Sequence, residues 1–191
     1  MRKSFLLMVL LLFSSGLAHS QSEYLITSNS VGKIRLGMTV AQARKAMPGC
    51  KFRRIVGTEP AALIKVSKKG RELMNLYAGE EDENSKIDER AKIELIRVWN
   101  KRYQTSNGVH PFMPIRKAEL ILGKVRRLFI SEIESREYAE FRRKPKGLLF
   151  RVNVDSMKGL HAGIYSGDSR QATRYALTAF IEGIEVSHYF D

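Results

Sequence analysis

The feature that most restricts the fold is an internal echo at a spacing of 75 residues. Gly37-Met38-Thr39-Val40-Ala41-Gln42-Ala43-Arg44-Lys45-Ala46-Met47-Pro48-Gly49 is answered by Phe112-Met113-Pro114-Ile115-Arg116-Lys117-Ala118-Glu119-Leu120-Ile121-Leu122-Gly123. In both, apolar residues fall at i, i+3 and i+7: Val40, Ala43 and Met47, then Ile115, Ala118 and Leu122. That spacing puts them on one face of a short helix. Thr39 with Gln42 three residues on is a capping box, and Pro114 suits a first helical position, where its missing N–H costs nothing. Pro48-Gly49 cannot continue the first helix, and Gly123 offers the left-handed residue that often ends one.

Strand-like runs follow each helix. The first half offers 52–56, 61–66, 72–77 and 93–99, the last with Ile93, Leu95 and Trp99 on one face and Ile96 and Val98 on the other, the mark of a covered strand. The second half offers 125–130, 148–154, 161–165 and 183–189. In 148–154, Leu148, Phe150, Val152 and Val154 alternate with Arg151 and Asn153, a period of two. Residues 131–141 read as a charged helix or an edge strand, and 175–181 as a helical turn entering the last strand. The acidic run 79–84 reads as a loop. The fold class expected is α+β, with two tandem units, each a short helix followed by an antiparallel β-sheet, spanning 21–105 and 106–191.

Two such units resemble the fold of β-lactamase-inhibitor proteins, whose single-unit version occurs in small outer-membrane-assembly lipoproteins. Ile34, Leu36, Gly37, Met38, Thr39, Gln42, Ala43 and Gly49 carry the resemblance in the first half, and Met113, Ile115, Ala118, Leu122 and Gly123 in the second. The opening Gly-x-Ile-Arg-Leu-Gly-Met-Thr, Gly32 to Thr39, is also similar to that of uncharacterised exported bacterial proteins. The resemblance implies a binding or inhibitory module for a secreted enzyme as the alternative function. Inhibitor-protein units are typically stapled by disulfides, and the single cysteine, Cys50, rules that staple out, so no inhibitory residue is carried over.

The N-terminus supplies an address. Arg2-Lys3, the nine-residue apolar run 5–13 and small residues at Ala18 and Ser20 make a secretory signal, 1–20, cleaved before Gln21. A lipid-bearing cysteine would stand directly after that point and the only cysteine is Cys50, so the protein is expected to be periplasmic or secreted, soluble and not a lipoprotein. Arg2 and Lys3 belong to the signal; the remaining 31 of the 33 Lys and Arg face 20 Asp and Glu, a net charge of +11. In an exported chain such charge favours anionic partners: an envelope polymer, a lipid surface or an acidic protein.

The residues offer little for catalysis. None of His110, His161 and His188 lies in a recognisable catalytic setting: His161 has no Ser-x-Gly or Cys partner nearby and His188 is expected to share a strand face with Ile184 and Val186, while Cys50 follows a helix instead of starting one. Glu80 to Glu83 lack the alternating ligands and turning glycine of a calcium loop. Gly32 and Gly37 are not followed by the Gly-Lys-Ser/Thr of a phosphate loop. No residue is assigned a catalytic, cofactor or metal role, and the protein is read as a non-enzymatic binding protein. Basic clusters stand at Lys51/Arg53/Arg54, Lys65/Lys68/Lys69/Arg71, Lys101/Arg102, Lys124/Arg126/Arg127 and Arg142/Arg143/Lys144/Lys146. The candidate residues for an anionic partner are Arg126, Arg127, Arg142, Arg143, Lys144 and Lys146, from the densest run and its neighbour. Only Trp99 and Tyr103, bracketing Lys101-Arg102, suggest a stacking platform, so nucleic acid is not the expected partner.

Overall fold

A computed structural model describes residues 23–55, 62–79, 82, 84–132, 135–154 and 161–190. The signal segment 1–20 and residues 80, 81 and 83 of the acidic run lie outside them. Both echoed helices form. Helix α1 (Val40–Ala46) opens with the capping box: the Gln42 N–H donates to Thr39 Oγ1 at 3.2 Å and the Thr39 N–H to Gln42 Oε1 at 2.9 Å. Helix α2 (Ile115–Leu122) has Pro114 one position earlier than expected, at the N-cap, and Gly123 at its C-cap with φ +75°. Val40, Ala43, Ile115, Ala118 and Leu122 are fully buried and Met47 nearly so, the face their spacing implies.

Among the described residues thirteen strands are arranged in two sheets. The smaller is β3 (Ile34–Arg35), β2 (Ser30–Val31), β1 (Leu25–Ile26) and β8 (Gln104–Thr105), with β1 and β8 parallel. The larger, all antiparallel, is built from β4 (Lys51–Ile55), β5 (Leu63–Lys68), β6 (Arg71–Tyr77), β7 (Leu95–Val98), β9 (Val125–Ile130), β10 (Glu137–Phe141), β11 (Leu148–Asn153), β12 (Gln171–Ala172) and β13 (Phe180–Ser187). Its order is β12-β9-β10-β11-β13-β7-β6-β5-β4. One face packs on the helices: Phe52, Ile64, Val66, Leu76, Ile96, Val98, Phe150, Ile184 and Val186 belong to one buried cluster with α1 and α2. The molecule is thus helix on sheet, predominantly β.

Several expectations change. Residues 161–165 form no strand, only a bridge between Gly163 and Tyr175. The segment is held instead by the buried Glu137 carboxylate, which accepts from the Ala162 and Gly163 N–H groups at 2.6 and 2.5 Å and from the Tyr165 hydroxyl at 2.7 Å. Two of its N–H groups therefore go to a side chain, and the backbone bonds that remain, Ile164 N–H to Arg174 O at 2.9 Å and Ala176 N–H to Ala162 O at 2.8 Å, make the single bridge and no ladder. Residues 137–141 are an interior strand, not an edge, because Tyr138, Ala139 and Phe141 are buried between β9 and β11. A turn closed by Ala179 N–H on Ala176 O at 2.9 Å leads into the final strand, which begins earlier than expected, at Phe180, and stops at Ser187, so His188 lies in an exposed 3₁₀ turn, His188–Phe190, off the face shared by Ile184 and Val186.

At the middle of the large sheet β13 pairs with β7, joining a strand of the C-terminal half to one of the N-terminal half. On the face away from the helices Arg97 and Glu185 lie opposite each other, 3.2 Å apart, with side chains only 4% and 3% exposed. The Tyr138 hydroxyl donates to Glu185 at 3.3 Å. Register also sets the ends: Lys68 pairs Arg71 at the end where β7 finishes and β13 begins, whereas Gly147 accepts from Ser187 N–H at the other.

Candidate functional site

The first of those ends carries a basic cleft of about 590 Å³, within the size range of small-molecule sites. Its cations come from three turns. Lys69 and Gly70, with φ +50° and +77°, close a two-residue hairpin between β5 and β6; positive φ at both positions is the turn geometry that matches strand twist. It gathers Lys68, Lys69 and Arg71 at one tip. Beyond β7, Asn100 Oδ1 accepts from the Arg102 N–H at 3.1 Å and Asn100 Nδ2 donates to Glu72 O at 3.2 Å, clamping the turn that carries Lys101 and Arg102 against β6. Lys33 arrives from the β2–β3 turn. All six are exposed, and among the described residues none is ion-paired. Glu23 is the one carboxylate lining the cleft.

The small sheet builds the remaining wall. Pairing of β1 with β8, continued by Gln104 N–H to Tyr24 O at 2.9 Å, sets the Tyr24 ring edge-on to buried Tyr103, centroids 5.3 Å apart. The Arg102 guanidinium lies over Tyr24 at 4.5 Å, a cation–π contact that fixes its direction. Gly32 makes this approach possible: with φ +55°, a Cβ there would stand 2.4 Å from Glu23 O and 3.4 Å from the Tyr103 ring.

Ala46, Met47, Pro48, Leu73 and Cys50 complete the lining. Burial pushes the Cys50 thiol above its usual range, with Glu23 adding to the effect and Lys68 and Lys33 opposing it. Burial likewise pushes Tyr103 up to about 12, aided by Tyr24, Cys50 and Glu23. Both side chains are neutral at physiological pH. Among the described residues no histidine lines the cleft: His110 Nδ1 sits 2.8 Å from Pro111 O, His161 faces Glu137 at 3.8 Å, and His188 lies in the exposed 3₁₀ turn. Among the described residues no three His, Cys, Asp or Glu side chains cluster as a metal centre requires. Six exposed cations against one carboxylate make the cleft electropositive and rich in hydrogen-bond donors.

The residues singled out from sequence lie elsewhere. Arg126 and Arg127 share the Glu140 carboxylate at 3.4 and 2.6 Å. They line a separate groove of about 590 Å³ with Arg174. Arg142, Arg143, Lys144 and Lys146 occupy the β10–β11 connection, at the opposite end of the sheet from the cleft. That turn folds back on α2 through Arg142 N–H to Lys124 O at 3.0 Å and Arg143 N–H to Leu122 O at 2.8 Å. Lys144 Nζ donates to Phe190 O at 2.7 Å and Leu148 O at 3.3 Å, so its ammonium anchors the C-terminus. Arg142, Arg143 and Lys146 are exposed.

The sequence matches no protein-family model and no curated protein. The fold has a solved counterpart. The crystal structure of the uncharacterized protein yfeY from Escherichia coli superposes with a TM-score of 0.54, covering 85% of this chain and 99% of its own, at 11% identity. This likeness is one of fold alone.

The clusters that do converge, Lys68/Lys69/Arg71 and Lys101/Arg102, were visible in the sequence but ranked below a denser run. The signal favouring them is Lys69-Gly70 between two alternating segments, a tight-turn dipeptide that concentrates its flanking cations at one point. Lys33, Glu23 and Tyr24 carried no such signal, since only the parallel β1–β8 pairing brings them there.

Proposed function

We propose that this is an exported, non-enzymatic binding protein whose basic cleft engages an anionic group of an envelope component or of an acidic partner protein. One observation carries the reading: six cations from three turns surround a cavity lined by a single carboxylate, and none of the six is neutralised by an ion pair among the described residues. Elsewhere surface cations such as Arg44, Lys124 and Arg127 have a carboxylate within 3.0 Å. Cations held close together without counter-charge raise the local potential and await an anion.

The tandem-unit reading belongs with this proposal. Outward from the β13–β7 seam the sheet counts β7, β6, β5, β4 on one side and β13, β11, β10, β9 on the other, where β12 adds one edge strand, each set following its own helix. This mirrored order supports two units and a kinship with the inhibitor-protein and assembly-lipoprotein folds. In that relation the Lys68–Arg71 hairpin and the 142–147 turn are counterparts. The second is packed against α2 and the C-terminus; the first is open, which favours it as the site.

Co-sedimentation of the purified protein with anionic vesicles, neutral vesicles and isolated cell wall, at low and high salt, tests the reading. Binding to an anionic material that weakens with salt supports it, since exposed charges are screened over roughly 10 Å at 0.1 M. Absence of binding to either anionic material at low salt overturns the envelope version.

A further inference from the structure

The cleft does not end at its cations. It shares Leu73, Asn100 and Lys101 with a second hollow of about 490 Å³, whose walls add Trp99 and Phe112. Phe112 is the informative residue. Its φ of +67° lies in the left-handed region, disfavoured for a bulky side chain. The start of β13 holds it there: the Phe112 N–H donates to Ile181 O at 2.6 Å and the Ile181 N–H to Met113 O at 2.9 Å. Its ring stacks on Phe180 at 6.0 Å yet stays 52% exposed. Backbone strain that keeps an aromatic ring in solvent is a feature found at ligand sites. Trp99 lies alongside, over Gly183, where a Cβ would come within 3.0 Å of the indole. The hollow's carboxylate, Glu72, already has Lys65 at 3.2 Å.

A cationic cleft running into an aromatic hollow matches a molecule with a charged head and an apolar chain. We propose that the trough binds an anionic amphiphile, with a phosphate-class headgroup among Lys33, Lys68, Lys69, Arg71, Lys101 and Arg102 and the first part of its chain along Leu73, Trp99 and Phe112. This rests on the cleft being an anion site and adds the class of ligand. A phosphate presents several charged oxygens to donors arriving from different turns, which a single carboxylate serves less well. Apolar chain laid on Leu73, Trp99 and Phe112 removes from water surface that the fold leaves exposed.

The chain provides its own reporters, because its one cysteine lines the cleft and its one tryptophan lines the hollow. The purified protein is titrated with dioctanoyl phosphatidic acid below its micellar concentration, with dioctanoyl phosphatidylcholine, and with inorganic phosphate. Maleimide labelling of Cys50 and emission of Trp99 are followed together. Phosphatidic acid should slow labelling, roughly elevenfold at about ten times Kd, and shift Trp99 emission to the blue with the same midpoint, while phosphatidylcholine does neither at that concentration. Phe112→Ala, its fold checked by circular dichroism, should weaken phosphatidic acid by about tenfold and leave phosphate unchanged. Equal protection by phosphate and phosphatidic acid with Trp99 unmoved overturns the amphiphile and leaves a headgroup-only anion site. Equal responses to both lipids overturn the charged head. Silence of both reporters while anionic vesicles still bind overturns the cleft itself as the anion site.

Discussion

Replacing Glu185 by alanine tests the seam on which the large sheet depends. Arg97 and Glu185 face each other across β7 and β13 at 3.2 Å, with 4% and 3% of their side chains exposed. Water therefore cannot take over the role of a missing partner. Removing one member of a buried pair costs about 3–5 kcal/mol, against a whole-domain stability of about 5–15 kcal/mol. At roughly 2–4 °C per kcal/mol for a chain of this size, Glu185→Ala should lower Tm by about 6–20 °C. Tyr138→Phe removes only a hydroxyl donor at 3.3 Å and should cost about 1 kcal/mol. The double replacement Arg97→Met/Glu185→Leu should return to within about 2 kcal/mol of the wild type, since an apolar pair of similar volume avoids the desolvation of both charges. Thermal and urea unfolding followed by circular dichroism give all three values. A Tm for Glu185→Ala within about 2 °C of wild type, or a double variant as unstable as the single one, would refute the reasoning.

Three further outcomes follow from individual residues. Gly32→Ala should destabilise the fold by about 1–3 kcal/mol in urea unfolding, because its Cβ would meet Glu23 O at 2.4 Å with φ at +55°; a neutral result would mean the β1–β8 clasp is not close-packed. Cys50, raised chiefly by burial, should be alkylated more slowly at pH 8 than an unstructured cysteine, its rate climbing only at more alkaline pH; a rate maximal by neutral pH contradicts this. Burial raises the Glu119 carboxyl, but the Val125 N–H, Lys124 and the Tyr175 hydroxyl outweigh it and hold the group below its ordinary value. A lowered folded pKa contributes stability above the unfolded value, about 4.3, that disappears as pH falls through the folded one. The stability gap between wild type and Glu119→Gln should accordingly close below about pH 4, and a gap that widens on acidification contradicts the assignment.

Periodic elements were legible because their signals are local. Thr39 and Gln42 announce a capping box, and Leu148, Phe150 and Val152 alternate whatever surrounds them. Strand β10 was obscured because Glu137 sits on a buried face, where its charge is satisfied by the Ala162 and Gly163 N–H groups, partners 25 and 26 residues away. His161–Tyr165 looked like a strand for the complementary reason, since a remote carboxylate takes the Ala162 and Gly163 N–H groups and only a single bridge to Tyr175 is left of a ladder. Arg97 carried no sequence signal of its partner, because only the β13–β7 pairing brings Glu185 opposite it. At the candidate site, linear density pointed to Arg142–Lys146, whereas hairpin closure and the β1–β8 pairing concentrated cations at the other end. Charge along the chain reports how many cations a segment has; convergence depends on which turns meet, and Lys33, Lys69 and Lys101 are far apart until the sheets form.

The most direct test of the account sets the two ends of the sheet against each other. Lys68→Glu/Lys101→Glu reverses charge in the cleft, and Arg142→Glu/Lys146→Glu makes the same change in net charge at the opposite end. Binding of each to anionic vesicles and isolated cell wall is measured by co-sedimentation at low salt, with circular dichroism to verify folding. Loss of binding in the cleft variant alone, with the other close to wild type, is the result the account predicts. Equal losses in both variants, or loss only when Arg142 and Lys146 are reversed, would contradict it.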